Sequence, residues 1–127
     1  VRSRRQRQMC IRDRGKYISV IKGAIFDVVV DLRKKSKTFG KTFSIILSEK
    51  NSKSLYVPAG FAHGFCTLKK ENYVVYNCTK YRDSKNENGI IYNDEDLKIN
   101  WPTKKPIVSV KDKKNLSFIN FKKKFIK

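Results

Sequence analysis

The sequence predicts an all-β domain, a sandwich or barrel, and three observations predict it. From Lys16 onward, short runs rich in β-branched and aromatic residues recur at close intervals. Turn formers punctuate them: Gly23, Asn51-Ser52-Lys53, Pro58 with Gly60, and Gly89. With 127 residues there is room for one domain and one modest core.

The elements follow in order. Lys16 to Lys22 (KYISVIK) is a first strand, and Gly23 allows a tight reversal. Ala24 to Leu32 (AIFDVVVDL) is a second, with Phe26, Val28, Val30 and Leu32 on one face and Ile25, Asp27, Val29 and Asp31 on the other. The loop RKKSKTFGK leads to Thr42–Ser48, where Phe43, Ile45 and Leu47 share a side. Leu55 to Leu68 (LYVPAGFAHGFCTL) reads as strand, tight turn and strand: Pro58 presets φ for the turn and Gly60 supplies the permissive backbone. Asn72 to Tyr81 (NYVVYNCTKY) is aromatic and β-branched, hence a strand. Ile90 to Tyr92 resumes as a short strand, and the acidic NDEDLKINWP is turn-like. The tail, residues 113–127, is expected to form a short helix that packs Leu116, Ile119 and Phe121 against the barrel or a second subunit, its lysines and aromatics also suiting a membrane surface or an acidic partner.

Composition narrows the function classes. No apolar run approaches the roughly 18 residues of a membrane-crossing helix. Three cysteines, Cys10, Cys66 and Cys78, have no CxxC spacing and cannot all pair, so a reduced, cytoplasmic protein is expected, with Cys66 and Cys78 as small apolar strand residues. The formal charge of +19 invites a nucleic-acid partner. Its distribution argues otherwise. Residues 1–14 hold six arginines and no lysine, whereas the remainder holds 22 lysines and only Arg33 and Arg82. The leader VRSRRQRQMCIRDR is therefore read as foreign or as a disordered arm, with the domain spanning 15–112. Beyond it a net +14 remains, scattered over loops and tail in place of one lined groove. No nucleic-acid and no membrane partner is expected.

His63 is the only histidine, and alternation after the Pro58–Gly60 turn decides which side chains of its strand point inward. Alone, a strand histidine is more often structural than functional. The spacing P-x-G-x-x-H, however, resembles the second motif of the cupin superfamily, and that resemblance implies a histidine facing the barrel interior. Many cupins bind metal through that histidine, but a catalytic metal site normally takes three protein ligands. With no second histidine and no H-x-H, neither a metal nor another cofactor is expected.

From Gly15 to Pro102 the chain resembles the dTDP-4-dehydrorhamnose 3,5-epimerases, metal-free cupins of deoxysugar biosynthesis. GKYISVIKGAIFDVVVDLRKKSKTFGK, SIILS, LYVPAGFAHGF, VVYNCTKY and NDEDLKINWP carry the resemblance in order and spacing, and VSVKD fits the family's C-terminal segment. The resemblance implies a jelly-roll barrel, incomplete at its N-terminus, and a homodimer. It also implies a substrate, a 4-keto-hexose on a nucleoside diphosphate. The ketone acidifies both neighbouring carbons; a base removes a proton, an enolate forms, and an acid returns a proton to the other face.

By the same resemblance Tyr76 is the proton donor, a phenol of ordinary pKa about 10 that nearby cations would have to lower. Lys16 contacts the sugar and offsets enolate charge. His63 donates to the substrate and is not the base. Glu87 and Lys111 bind the nucleotide, and Tyr81 lines the pocket. Asp112 pairs with the base histidine, and Asp27 holds Lys16. That base belongs to an RGLH-type motif upstream of Lys16, where this chain reads RSRRQRQMCIRDR, without a histidine. The chain is accordingly read as an N-terminally truncated member with impaired turnover. The alternatives are a 3-epimerase or 3,4-ketoisomerase, a non-catalytic sugar-nucleotide-binding cupin, and a basic nucleic-acid module.

Overall fold

A computed structural model describes residues 5–11, 15–79 and 88–126, and within these all side chains except those of residues 5–11, Asn88 and Lys111. Alternating apolar and polar residues produce β2 (Lys16–Lys22) and β4 (Thr42–Ser48) with the expected bounds, and β5 (Ser54–Val57) leads into the Pro58–Gly60 turn. The near-continuous apolar run gives β3 (Ala24–Asp31), and the Pro58–Gly60 turn delivers β6 (Phe61–Thr67). Gly60 has φ +88°, a left-handed backbone that a side chain would strain. A Cβ there would also lie 2.7 Å from Arg33 Cγ. β7 covers Tyr73–Cys78, ending before the expected Tyr81, which lies outside the described residues. The next strand is β8 (Asn88–Ile90), so Ile91 and Tyr92 leave the sheet. β9 (Ile107–Val108) and the short α1 (Val110–Lys113) follow, and α2 (Phe118–Phe125) closes the chain.

One further strand departs from expectation. Residues 1–14 are anticipated as a leader outside the domain, yet Arg5–Ile11 forms β1 inside the larger sheet. β1 pairs antiparallel with β6 and β8, with an irregularity between Arg7 and Cys10, and parallel with β9. Nothing in RQRQMCI announces a strand. Unsatisfied backbone donors and acceptors along the β6 edge provide the template.

The described strands form two sheets. The larger runs β4-β3-β6-β1-β8, with β9 also on β1; the smaller runs β5-β2-β7. Between them lies one apolar cluster: Ile25, Val29, Leu47 and Phe65 from the larger sheet meet Ile18, Val20 and Val57 from the smaller. A second cluster covers the back of the larger sheet, where Val28, Val30, Leu32 and Ala62 pack against Ile90, Leu97, Phe118 and Phe121. β3 thus divides its faces as its alternation predicts. This is an all-β jelly-roll-type barrel with a short C-terminal helix.

Three apolar assignments shift. In α2 the buried pair is Phe118 and Phe121, while Ile119 is 45% exposed. The helix is capped at Ser117, whose hydroxyl accepts from Asn120 N at 3.3 Å, and this start sets which residues face the sheet. Phe43 is exposed on β4, whereas Leu47 is buried and Ile45 partly so. Of the two strand cysteines, Cys66 is buried as expected and Cys78 is exposed.

Candidate active site

Register decides which side chains meet between the sheets. In the smaller sheet Ile18 stands opposite Tyr76 and Leu55, and Lys16 stands opposite Cys78 and Val57. Buried Ile18 defines the inward face, so Lys16 and Tyr76 share it. In the larger sheet Val29 stands opposite His63, and Asp27 opposite Phe65. Buried Val29 and Phe65 mark that face as inward too, so Asp27 and His63 are diagonal neighbours on it.

The start of β2 is fixed locally. Gly15 N donates to Thr79 Oγ1 at 3.0 Å, and Thr79 N donates back to Gly15 O at 3.1 Å. A Cβ at Gly15 would lie 2.5 Å from the Tyr56 hydroxyl, so glycine lets Tyr56 close over this point. The Gly15–Thr79 clasp holds Lys16 beside the end of β7.

His63 is 4% exposed and Asp27 fully buried. Their side chains form a hydrogen-bonded pair, Nε2 of the imidazole against Oδ1 of the carboxylate. Of the Asp27 oxygens, Oδ1 serves His63, and Oδ2 is buried with no hydrogen-bond partner. Rings wall the imidazole. Phe65 lies 6.2 Å away between centroids, and Tyr76 approaches edge-on at 6.4 Å with an interplanar angle of 77°. Tyr76 itself is 37% exposed, so it links the buried pair to solvent.

Of the residues expected at the site, the structure brings together His63, Asp27 and Tyr76, and sets Lys16 on the same face as Tyr76. Asp112 is buried on α1, its backbone N–H donating to Ser109 Oγ at 3.1 Å. The preceding strand β9 pairs with Arg5 and Gln6 of β1, which carries α1 to that end of the larger sheet. Glu87, Tyr81 and the side chain of Lys111 lie outside the described residues. Among the described residues no cluster of three His, Cys, Asp or Glu side chains is placed to hold a metal.

Sequence reasoning missed the Asp27–His63 bond and the aromatic wall of Phe65. The signal was present. An aspartate replaces an aliphatic residue on the Ile25–Val29 face, and the lone inward histidine is the group able to partner it.

Chemically, the facing sheets offer an imidazole fixed by a carboxylate, a phenol beside it, and an ammonium on the phenol's own sheet. Such a set donates protons and hydrogen bonds to a small oxygen-rich ligand.

Comparison with known proteins agrees. The sequence model of the dTDP-4-dehydrorhamnose 3,5-epimerase family matches residues 6–120. The Shigella flexneri dTDP-4-dehydrorhamnose 3,5-epimerase is 41% identical over 106 residues, covering 84% of this chain and 59% of that protein. The chain therefore spans under two thirds of that relative's length. Among solved structures, a Bacillus anthracis dTDP-4-dehydrorhamnose 3,5-epimerase with TDP and pyrophosphate bound superimposes with a TM-score of 0.88 at 40% identity, covering 91% of this chain and 69% of that one. The Legionella pneumophila epimerase in complex with dTDP-4-keto-L-rhamnose gives 0.85 at 36% identity, covering 92% and 65%. By matched length, order of motifs and fold together, this chain belongs to the dTDP-4-dehydrorhamnose 3,5-epimerase family.

Proposed function

We propose that the chain serves the epimerisation of dTDP-4-dehydro-6-deoxy-D-glucose at C3 and C5 to dTDP-4-dehydro-L-rhamnose, in dTDP-rhamnose biosynthesis. The observation that carries this reading is the edge-on approach of Tyr76 to the Asp27-anchored His63. In the family's reaction a base histidine takes the proton beside the ketone, and the oxygen of the resulting enolate is met by hydrogen bonds from His63 and by the charge of Lys16. Tyr76 returns the proton to the opposite face. Glu87 and Lys111 bind the nucleotide portion, Tyr81 lines its pocket, and Asp112 is the carboxylate that partners a base histidine in the family's reaction. That base is not among the residues of this chain, whose one histidine is His63. Turnover by the 127-residue polypeptide alone is accordingly slow.

The bound TDP of the Bacillus relative and the keto-sugar of the Legionella relative support a nucleotide-sugar ligand. A homodimer in the cytoplasm completes the proposal. Its support is the outward face of the smaller sheet, where Tyr17, Ile21, Tyr56, Tyr73 and Val75 are all exposed.

The test is exchange of the C3 and C5 protons of dTDP-4-keto-6-deoxyglucose in D2O, followed by NMR. Slow exchange at both carbons that vanishes in Tyr76→Phe supports the reading; exchange at C3 alone favours a single-carbon epimerase instead. The lone histidine favours a second reading, binding without turnover. A thermal shift with dTDP and no exchange would select it.

A further inference from the structure

Four acids are buried among the described residues: Asp27, Asp31, Asp94 and Asp112. Two of them use both oxygens locally. Asp31 accepts from Arg33, Ser36 and Thr38. Asp94 accepts from the backbone of Asp96 and Leu97 at 3.0 Å and of Phe118 at 2.7 Å, tying the acidic turn to α2.

Asp27 differs. It is enclosed completely, one oxygen meets His63 Nε2, and the other meets no donor. Burying a carboxylate with an orphaned oxygen is costly. The fold does not require it, because Ile25 and Val29 show what the inward face of β3 otherwise holds.

The imidazole is as asymmetric as the acid. Its hydrogen bond among the described residues is the one from Nε2 to Asp27. Phe65 and Tyr76 restrict the ring from other directions. A histidine nitrogen held by a carboxylate keeps its proton, and the opposite nitrogen becomes the functional one.

We propose that Asp27 is the positioning residue of His63: it holds the proton on Nε2, fixes the ring, and presents Nδ1 as the atom that meets the ligand. That the ligand is a keto-sugar nucleotide rests on the function proposed above; the assignment of the two nitrogens does not.

Because His63 is the only histidine, 15N-histidine labelling of the 127-residue chain yields one imidazole and no assignment ambiguity. Long-range proton–nitrogen correlation should show a hydrogen-bonded Nε2–H, protected from solvent exchange and shifted downfield by its carboxylate acceptor. In Asp27→Asn, which keeps the side-chain shape, that proton should move upfield and lose protection. A wild-type ring carrying its proton on Nδ1 and not on Nε2 overturns the proposal, whether or not the variant folds. So does an Nε2–H signal unchanged by the substitution in a folded variant. Titration with dTDP-4-keto-6-deoxyglucose then separates the two ideas. A shift larger at Nδ1 than at Nε2 supports both. A bound ligand that perturbs Nε2 and leaves Nδ1 untouched overturns the presentation of Nδ1. No binding at all overturns the sugar-nucleotide reading, while the Nε2–H signature of Asp27 stands.

Discussion

The two sheets face the same interior but are built under different constraints. β3, at the heart of the larger sheet, is buried along almost its whole length, because one face meets the smaller sheet and the other meets α2 and its neighbours. β2, at the centre of the smaller sheet, alternates: Ile18 and Val20 are buried, while Tyr17 and Ile21 are exposed. A strand covered twice reads as a continuous apolar run, and one covered once reads as an alternation. The site divides along the same line. The imidazole–carboxylate pair stands on the doubly covered sheet, where packing holds it still. Lys16 and Tyr76 stand on the inner face of the sheet whose outer face is free, and Tyr76 is 37% exposed.

The most forceful way to break this comparison is to remove one isoleucine from each sheet. Ile25→Ala in β3 deletes a fully buried side chain and should cost roughly 2–5 kcal/mol. Ile21→Ala in β2, at a position 64% exposed, should stay within about 0.5 kcal/mol. Urea unfolding followed by circular dichroism measures both. That small loss is the expectation for the dilute single chain; at concentrations where the proposed dimer covers the outer face of the smaller sheet the Ile21→Ala loss should grow, and a loss that stays small at every concentration would count against that face as the dimer contact.

Next in size is an anchor of the larger sheet. At the end of β3 the Asp31 carboxylate takes Arg33 Nε at 3.0 Å, Arg33 Nη2 at 2.9 Å and Ser36 Oγ at 2.6 Å. The Arg33 guanidinium, helped by the Ser36 and Thr38 hydroxyls, holds this carboxyl well below the usual carboxylate range. A depressed acid stabilises the fold above its unfolded value, about 3.9, and that contribution fades as pH falls toward the lower folded value. Asp31→Asn should therefore lose roughly 1.5–3 kcal/mol at pH 7. The gap to wild type should narrow on acidification below about pH 4. A gap of the same size at pH 7 and pH 3 would show that shape, and not charge, is what Asp31 supplies.

These contrasts also explain what was legible in the sequence. β2, β4 and β5 were readable because a strand with one wet face writes its period into its residues. The turn before β6 was readable because Pro58 and Gly60 have few other uses in that spacing. β1 was not, since arginine and glutamine carry no strand preference and its place is set by a neighbour's edge. For Asp27 the sequence shows that an inward carboxylate needs a partner but not that the partner is near: His63 lies 36 residues away, and only the register of β3 on β6 makes them diagonal neighbours. The buried face of α2 was misjudged because a short helix shifts its face when its first residue moves, and Ser117 sets that residue.

On the smaller sheet, Tyr76→Phe tests function against scaffold. The ring that packs on Phe65 and His63 is retained, so stability should change by less than about 1 kcal/mol. Exchange at C5 of the keto-sugar, if the phenol is the proton donor, should fall by on the order of 10² or more. A variant that unfolds at the wild-type urea midpoint but exchanges at the wild-type rate would remove Tyr76 from the chemistry.

The smallest effect is expected where the smaller sheet turns into the larger, and there two neighbouring contacts should behave oppositely. Lys22 Nζ lies 2.7 Å from Glu71 Oε2, with both side chains at least half exposed. Water and salt screen such a pair, and holding two long side chains together offsets much of the attraction. Beside it, Asn72 Oδ1 accepts the backbone N–H of Ala24 at 3.0 Å, and its Nδ2 donates to Lys69 O at 2.7 Å. These bonds satisfy a buried strand end and close the loop over Gly23, whose φ of +82° and contact with Glu71 O leave no room for a side chain. Lys22→Ala should leave the melting temperature unchanged at any ionic strength, whereas Asn72→Ala should lower it measurably. If the lysine variant proves the worse of the two, the junction is held by charge and not by backbone hydrogen bonding.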